Sequence, residues 1–422
     1  MKIKLNILSQ YKGLRKEIYI LCVGRIVTSL GSMIWPMMTL IMNQRLGFKA
    51  SDIAIYFVAT SLIMMPANLA GGKIADKFNK KMIIVYCDIV SIVCYIVCGV
   101  IPLSMVTVVL MVIAGIFQSI EGPAYNSLCA DLSTVKDRDR VFSLGYLCMN
   151  LGMVLSPTIG GILFKDFVWL MFILCGVSIG ISTVMIYFLI KDITPVEDDS
   201  EEAEYQNKVS NEGIFKIIRQ NKEVMLFVIV IAIYYAAYGQ WGYLMPLDMG
   251  RVHGDSGALI YGTVSSLNCI VVVLFTPIIT HLFKKFHETQ KLLSGELLLA
   301  SGYFLFITLL GHIPVYYAAI FLFTLGEIFS TIAEGPYLTR RIPASHRGRL
   351  TGISAVAGTL ISGVADLTVG HLYDKSGSVA AWAVVLSLLG GAFILTAFLT
   401  VHDKKKYPKL YSKDSAKEDI KQ

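Results

Sequence analysis

The sequence predicts an all-α membrane protein with twelve transmembrane helices in two pseudo-symmetric six-helix bundles. Three observations predict this fold: an apolar composition, twelve long apolar stretches, and an uneven distribution of Lys and Arg. Of the 422 residues, 55% are hydrophobic and only 16% are charged, whereas soluble domains carry about 25% charged residues. A surface with so few charges is suited to lipid rather than to water.

Twelve stretches are long enough to cross a membrane, since a spanning helix needs about 20 mostly apolar residues. Their approximate limits are 18–43, 52–75, 81–102, 104–130, 140–164, 167–190, 223–247, 257–282, 290–311, 314–337, 350–372 and 379–400. They lack the alternating pattern of a membrane β-strand. Eight cysteines lie mostly inside these stretches, where we expect them to act as small buried hydrophobic residues.

The positions of Lys and Arg predict the orientation. With the N-terminus in the cytoplasm, the inner segments hold about 30 of the 37 basic residues and the outer loops about five, as expected when positive loops stay inside. The protein is therefore expected in the inner membrane, with its N- and C-termini in the cytoplasm.

The chain divides near its middle. A polar, partly acidic linker is predicted at 191–222. It separates an N-terminal six-helix bundle at 1–190 from a C-terminal six-helix bundle at 223–400. A basic cytoplasmic tail is predicted at 401–422. The halves share features at nearly constant spacing: the tripeptide Glu-Gly-Pro at 121–123 and 334–336, and an acid at Asp88 and Glu296. Such repeats occur in transporters whose substrate site lies between the halves.

The loop after the second predicted helix, residues 72–81, reads GKIADKFNKK. It resembles the G-x-x-x-D-[RK]-x-G-[RK]-[RK] signature of the major facilitator superfamily, with Asn79 in place of the second glycine. The resemblance implies a cytoplasmic gate made by Gly72, Asp76, Lys77, Lys81 and Asp131. We expect Asp76 to cap the eleventh helix, because a helix N-terminus favours an anion, and Lys77 to pair with Asp131.

The fifth predicted helix carries a second motif, with Gly152, Pro157, Gly160 and Gly161. It resembles the glycine–proline motif of exporters in the superfamily, especially the twelve-span drug:proton antiporters. Small residues allow two helices to approach closely, so these four are predicted to pack the fifth helix against its partner in the other half. Simple helix packing without directional meaning is the alternative.

Charges inside the predicted helices are candidates for proton coupling, because a charge at mid-bilayer is costly and needs a partner, water or a proton. We expect Arg25 and Glu121 to meet at similar depth, and Glu327 and Glu334 to lie on one face of the tenth helix. A static ion pair is the alternative for the first two.

The fourth helix departs from the pattern of many proton-coupled members, which carry an arginine three residues before a glutamine. Here Gln118 is present but Gly115 stands at the arginine position, and Arg25 is the candidate to replace it. Asp88 and Glu296 are expected to pair with Lys or Arg of the loops.

Aromatic and methionine side chains make adaptable apolar walls and can hold cations. The predicted substrate cavity is lined by Trp35, Met37, Gln118, Tyr234, Tyr235, Tyr238 and Trp241. Helix packing and an aromatic belt at the membrane interface are the alternative interpretation.

The sequence favours a secondary transporter that exports small amphipathic, drug-like compounds by proton antiport and alternating access. An importer, or a lipid or metabolite translocator on the same fold, is the alternative, and a non-transporting membrane sensor is a third. We expect no enzymatic activity, cofactor, metal site or nucleic-acid partner. The expected partners are a small-molecule substrate, protons and the bilayer, and the resemblance implies a monomer.

Overall fold

The computed structural model describes residues 11–191, 222–341 and 344–411. This part of the chain is helical, and it contains the twelve predicted spans, which are thereby confirmed. The spans are α1 (Lys16–Gly31, Ile34–Leu40 and the π-helical Ile41–Arg45), α2 (Ala50–Lys77), α3 (Lys80–Val100), α4 (Met105–Asp131), α5 (Val135–Met153 and Ser156–Leu163), α6 (Val168–Leu189), α7 (Lys222–Tyr238 and Gln240–His253), α8 (Ser256–Leu282), α9 (Glu288–Thr308), α10 (Ile313–Thr339), α11 (Ala344–Ser376) and α12 (Ser378–Lys406).

Three spans are interrupted where the sequence weakens the helix. The first part of α5 ends at Met153, and the second part begins at Ser156 with Pro157 in its first turn. Proline lacks a backbone N–H and clashes with the carbonyl four residues earlier, so the break lies just before it. In α7 the interruption falls at Gly239.

The described residues form two compact units. The first unit takes them from 1–47, 59–205 and 253–270, and the second from 48–58, 206–252 and 271–422. The start of α2 therefore packs within the second unit, and the first half of α8 packs within the first. Both units are held by apolar packing, which in the second includes Phe227 stacked on Tyr337 with ring centroids 3.9 Å apart.

Buried charges in the second unit are compensated locally. The Arg341 guanidinium donates to both oxygens of Asp403, at 2.8 and 2.5 Å, and lies 3.8 Å from the Tyr337 ring centroid. Asp248 accepts from Tyr373, Ser378 and Trp382. A buried charge is tolerated only with such partners, so these two networks are structural.

All eight cysteines are buried and free, so the expectation of small buried hydrophobic residues is confirmed. The predicted linker lies almost wholly outside the described residues, as does the tail beyond residue 411.

Candidate functional site

A cavity of about 380 Å³ lies within the first unit, between α1, α3, α4, α5 and α6; we call it the first-unit cavity. Its polar lining includes Arg25, Thr28, Asp88, Gln118, Glu121 and Ser182. Apolar side chains such as Trp35, Met149 and Ile179 form much of the remaining wall. A polar cavity inside a membrane bundle is where a transporter binds substrate or protons.

Arg25 is held at this cavity by contacts with two other helices. Its guanidinium lies 5.3 Å from the ring centroid of Tyr125 on α4, and one nitrogen donates to the Met149 sulfur on α5 at 3.9 Å. The Tyr125 hydroxyl in turn donates to the Leu21 carbonyl at 3.1 Å. The Arg25 guanidinium is therefore held against the Tyr125 ring. It forms no close ion pair with the carboxylates of the cavity that the structure describes.

Glu121 and Arg25 share the cavity, as predicted, and lie within electrostatic range of each other. Among the residues that the structure describes, however, no ion pair within 4.0 Å joins them. Arg25 and Glu121 therefore face the same cavity without forming the expected direct contact. A carboxylate that is not locked to an arginine remains free to bind a proton or a cation.

Asp88 lines the same cavity, and the expectation that it pairs with a loop Lys or Arg is wrong. Its Oδ2 accepts from the Thr183 hydroxyl of α6 at 2.7 Å, and only 9% of the residue is exposed. Glu296 makes the corresponding bond in the second unit, where its Oε1 accepts from Thr396 of α12 at 2.7 Å. Both acids point into the bundle rather than toward a basic loop.

The cavity end near Trp35 is ordered by Tyr95. Gln118 donates to the Tyr95 hydroxyl at 3.5 Å, and Trp35 lies nearby. A Cβ at Gly115 would collide with the terminal methyl group of Met64, so a larger residue there would require the Met64 side chain to move. Arg25 is thus the cation available to Gln118 and Glu121 in the first-unit cavity.

In the second unit, the predicted acids on α10 contact tyrosines of α7. The Tyr235 hydroxyl donates to Glu334 Oε2 at 2.8 Å, and Tyr238 lies near Glu327. Tyr234 is almost fully buried beside them. The acids and aromatics that the sequence singled out in this half are therefore neighbours.

Two other predicted cavity residues have clear packing roles. Trp241 lies against Phe323, with ring centroids 5.7 Å apart. Met37 is fully buried, and its side chain packs beside Gly160 of α5 and Gly262 of α8. The expectation that all seven predicted residues line one cavity stays a prediction.

The predicted gate is partly assembled from different pairs. Asp131 forms an ion pair with Lys80, so the expected pair with Lys77 is wrong. Lys81 donates to the Ile190 carbonyl at 2.7 Å, and Asp76 and Lys77 are exposed. The capping of α11 by Asp76 stays a prediction.

The structure also describes the two glycine positions of the motif, Gly72 and Asn79. A Cβ at Gly72 would meet nothing within 4 Å, whereas one at Gly71 would lie 2.6 Å from the Ile120 carbonyl oxygen of α4. Asn79 has φ −62° and caps α3, its side chain accepting from the Met82 N–H. Asn79, which replaces the second glycine of the motif, is therefore a helix cap with a negative φ.

The glycines of α5 make close helix contacts. A Cβ at Gly152 would lie 2.5 Å from the Ile26 carbonyl oxygen of α1, and one at Gly161 would lie 2.6 Å from the Ala258 carbonyl oxygen of α8. Gly160 faces Met33 of α1, and the carbonyl of Pro157 faces Gly262 of α8. The motif therefore packs α5 against α1 as well as against a helix of the second sequence half.

The family model described as the Major Facilitator Superfamily matches residues 21–365. The chain belongs to the major facilitator superfamily. A Na(+), Li(+), K(+)/H(+) antiporter of Planococcus maritimus is 21% identical over 365 residues, which cover 80% of this chain and 84% of that protein. Multidrug resistance protein MdtH of Salmonella typhimurium (strain LT2) is 22% identical over 397 residues, covering 90% of this chain and 92% of that protein.

Solved structures of the superfamily share the fold. A POT family transporter crystallised with 5-aminolevulinic acid superposes with a TM-score of 0.75 at 13% sequence identity, over 93% of this chain and 97% of that one. Identity this low establishes the fold alone. Together with the family match, it shows that the chain is a multi-pass membrane transporter and not an enzyme.

Sequence reasoning missed the acid–threonine pairs. A signal was present, because Thr183 and Thr396 occupy corresponding places in the last helix of each half, as Asp88 and Glu296 do in the third. Threonine inside an apolar helix commonly bonds to its own backbone, so the pattern alone did not indicate a partner on another helix.

Proposed function

We propose that the protein is a proton-coupled antiporter that exports small amphipathic, cationic compounds by alternating access. The observation that supports this is the first-unit cavity, where one guanidinium and two carboxylates face a shared space. If both acids are ionised, the three groups carry one net negative charge. That charge can be neutralised by one proton or one monovalent cation, and competition between the two is the basis of antiport.

Several finer points belong to the same proposal. The N- and C-terminal six-helix bundles, 1–190 and 223–400, rock about the substrate site, with both termini in the cytoplasm and the protein acting as a monomer in the inner membrane. Glu327 and Glu334 of the second half take part in proton coupling, together with Glu121 and Arg25 of the first half. Export is supported by the α5 motif and by the printed name of the MdtH relative; import and lipid or metabolite translocation are its rivals.

A second candidate is the exchange of inorganic monovalent cations for protons. It is favoured by the oxygen atoms that line the cavity, from Asp88, Gln118, Glu121, Thr28 and Ser182, since oxygen ligands suit hard cations. The printed name of the Planococcus maritimus relative points the same way.

A pH-jump assay distinguishes the candidates. Purified protein is reconstituted into vesicles that are acidic inside and contain a trapped pH-sensitive dye. Ethidium, a lipophilic cation, is then added outside, and Na⁺, Li⁺ and K⁺ salts are added in parallel. The first proposal predicts that the interior becomes more alkaline on adding ethidium. A response to the metal ions alone supports the second candidate, and no response to any probe argues for a sensor.

Matched variants test the acids. Glu121→Gln and Glu334→Gln keep the side-chain volume and remove the exchangeable proton, so we expect normal membrane expression and loss of the ethidium response. Asp255→Asn, at an exposed position between α7 and α8, is the control and should respond like the wild type. Unchanged responses in both glutamine variants and in Glu327→Gln would remove proton carriage from these residues. In cells, export predicts less ethidium accumulation on overproduction, and import predicts more.

A further inference from the structure

Each sequence half contains a buried carboxylic acid that is hydrogen-bonded to a threonine of a neighbouring helix. Asp88 of α3 is bonded by Thr183 of α6, and Glu296 of α9 is bonded by Thr396 of α12. Both bonds measure 2.7 Å between oxygens. The sites differ in their surroundings, because Asp88 lines the first-unit cavity whereas only 1% of Glu296 is exposed.

The Thr183 hydroxyl lies within hydrogen-bond distance of two oxygens that can each accept its proton. It is 2.7 Å from Asp88 Oδ2 and 2.8 Å from the Ile179 carbonyl oxygen. A hydroxyl has one proton to donate and can also accept, so it cannot donate to both oxygens at once. Which of the two receives the proton depends on whether Asp88 is ionised.

The hydrogen bond between Asp88 Oδ2 and Thr183 can be kept in both protonation states of Asp88. When Asp88 is ionised, Thr183 donates to Oδ2. When a proton binds to Oδ2, the new O–H donates to the Thr183 oxygen, and the Thr183 hydroxyl turns to donate to the Ile179 carbonyl. The only movement is a rotation about one C–O bond. A carboxyl whose hydrogen bond to Thr183 is kept in both states can take up and release a proton without moving the helices around it.

We propose that Asp88 is a proton-exchanging residue of the transport cycle, with Thr183 as the positioning residue that stabilises both of its states. The inference rests on the proposed proton coupling and adds a residue to it. On release, the O–H bond of Asp88 breaks, the proton passes to water in the cavity, and the cationic substrate balances the negative charge left behind. The reverse exchange restores the neutral acid.

The groups that face Asp88 across the cavity come from several helices. Arg25 lies on α1, Glu121 and Tyr125 lie on α4, and Cys175 lies on α6. The lining of α5 contributes the uncharged Met149 and Met153. Glu121 is close enough to Asp88 for their charges to repel, so a proton shared between the two acids relieves the repulsion.

Glu296 serves as a natural comparison. Its Oε2 has no hydrogen-bond partner among the described groups. An ionised Glu296 would thus leave one bare oxygen in the bundle interior, which is costly. We therefore expect it to remain a neutral acid throughout the cycle, a role that an isosteric glutamine can fill.

Infrared difference spectroscopy tests the protonation of Asp88 directly. Protein in lipid is titrated with pH, and the carbonyl band of protonated carboxyl groups is followed in the wild type and in Asp88→Asn. We expect a titrating band that the variant lacks. Thr183→Val should move the titration midpoint of this band upward by about one pH unit, because the charged state loses the stronger hydrogen bond. Thr308→Val, at an exposed threonine bonded to its own helix, should leave the midpoint unchanged.

The pH-jump assay with ethidium supplies the functional comparison. We expect Asp88→Asn to lower the number of protons moved per ethidium, and Glu296→Gln to leave this ratio at the wild-type value. An unchanged band in Asp88→Asn, or an unaltered ratio, would overturn the inference even if the protein transports ethidium. If Asp88 titrates but no probe is transported, the proposed function fails and the protonation site stands.

Discussion

Replacement of Gly161 by alanine tests the close approach of α5 to α8. The new Cβ would lie 2.6 Å from the Ala258 carbonyl oxygen and 2.8 Å from the Leu259 Cα. Both are backbone atoms, so neither can move aside by rotating a side chain. Inserting a methyl group into packed structure costs about 1–3 kcal/mol, and we expect Gly161→Ala to destabilise the protein by about that amount.

Gly145 provides the control in the same span. A Cβ at Gly145 would meet nothing within 4 Å, and alanine in a helix interior is favoured over glycine by about 0.5–1 kcal/mol. Gly145→Ala should therefore be neutral or stabilising. The two variants are expected to differ by about 1.5–4 kcal/mol, although each adds the same methyl group.

Thermal unfolding can be followed with a fluorogenic maleimide, because all eight cysteines are buried in the folded protein. The expected order of Tm is Gly145→Ala at or above the wild type, and Gly161→Ala clearly below both. A Gly161→Ala protein that melts at the wild-type temperature or higher would refute the close contact and the packing role of the α5 motif.

Three further structural features outside the cavity are tested by substitutions and the same unfolding measurement. Arg341→Met leaves the buried Asp403 without its cationic partner and should cost about 3–5 kcal/mol. Arg340→Met removes a partly exposed arginine from Glu288, which keeps Arg341 at 3.8 Å, and should cost less. Equal effects would contradict the burial of the first pair. Asp374→Ala removes the acceptor for the first two N–H groups of α2 and should cost about 0.5–2 kcal/mol. Burial and the neighbouring arginines lower the pKa of His287 below its usual 6.5. The unfolded chain therefore binds more protons than the folded one, and the stability of the fold should fall as the pH drops through 6.5. His287→Gln should reduce this loss of stability at acid pH, and an equal loss in the variant would contradict the argument.

The fold could be predicted from the sequence because the bilayer imposes strong rules. A spanning segment must be long, apolar and helical, and the twelve predicted stretches correspond to the twelve spans of the structure. The fifth helix is interrupted two residues before Pro157, as the missing N–H of a proline requires. These features depend on local sequence alone.

The partners of the intramembrane acids could not be predicted, because they depend on helix rotation. Asp88 and Thr183 are 95 residues apart, and several helices could have faced either side chain. The prediction that Asp88 pairs with a loop cation followed from its position near a helix end. Its actual partner is decided by which face of α3 meets α6, and a single sequence carries little information on that choice.

The gate shows a smaller error of the same kind. The prediction chose Lys77 as the partner of Asp131, since Lys77 follows Asp76 in the motif. The structure uses Lys80, which stands in the first turn of α3. Lys77 is the last residue of α2 and Lys80 is the first residue of α3. The sequence spacing alone does not show which of two lysines on either side of a short turn faces Asp131.

The central claim is that the first-unit cavity exchanges protons for a cation, and proton release on binding tests it most directly. Purified protein in a weakly buffered solution with a pH indicator is mixed with ethidium, and with Na⁺ in parallel. We predict that at least one of these cations binds to the wild type with release of protons, and that the release is abolished in the double variant Asp88→Asn/Glu121→Gln. Binding of both cations without any proton release, or equal release from the double variant, would contradict the claim.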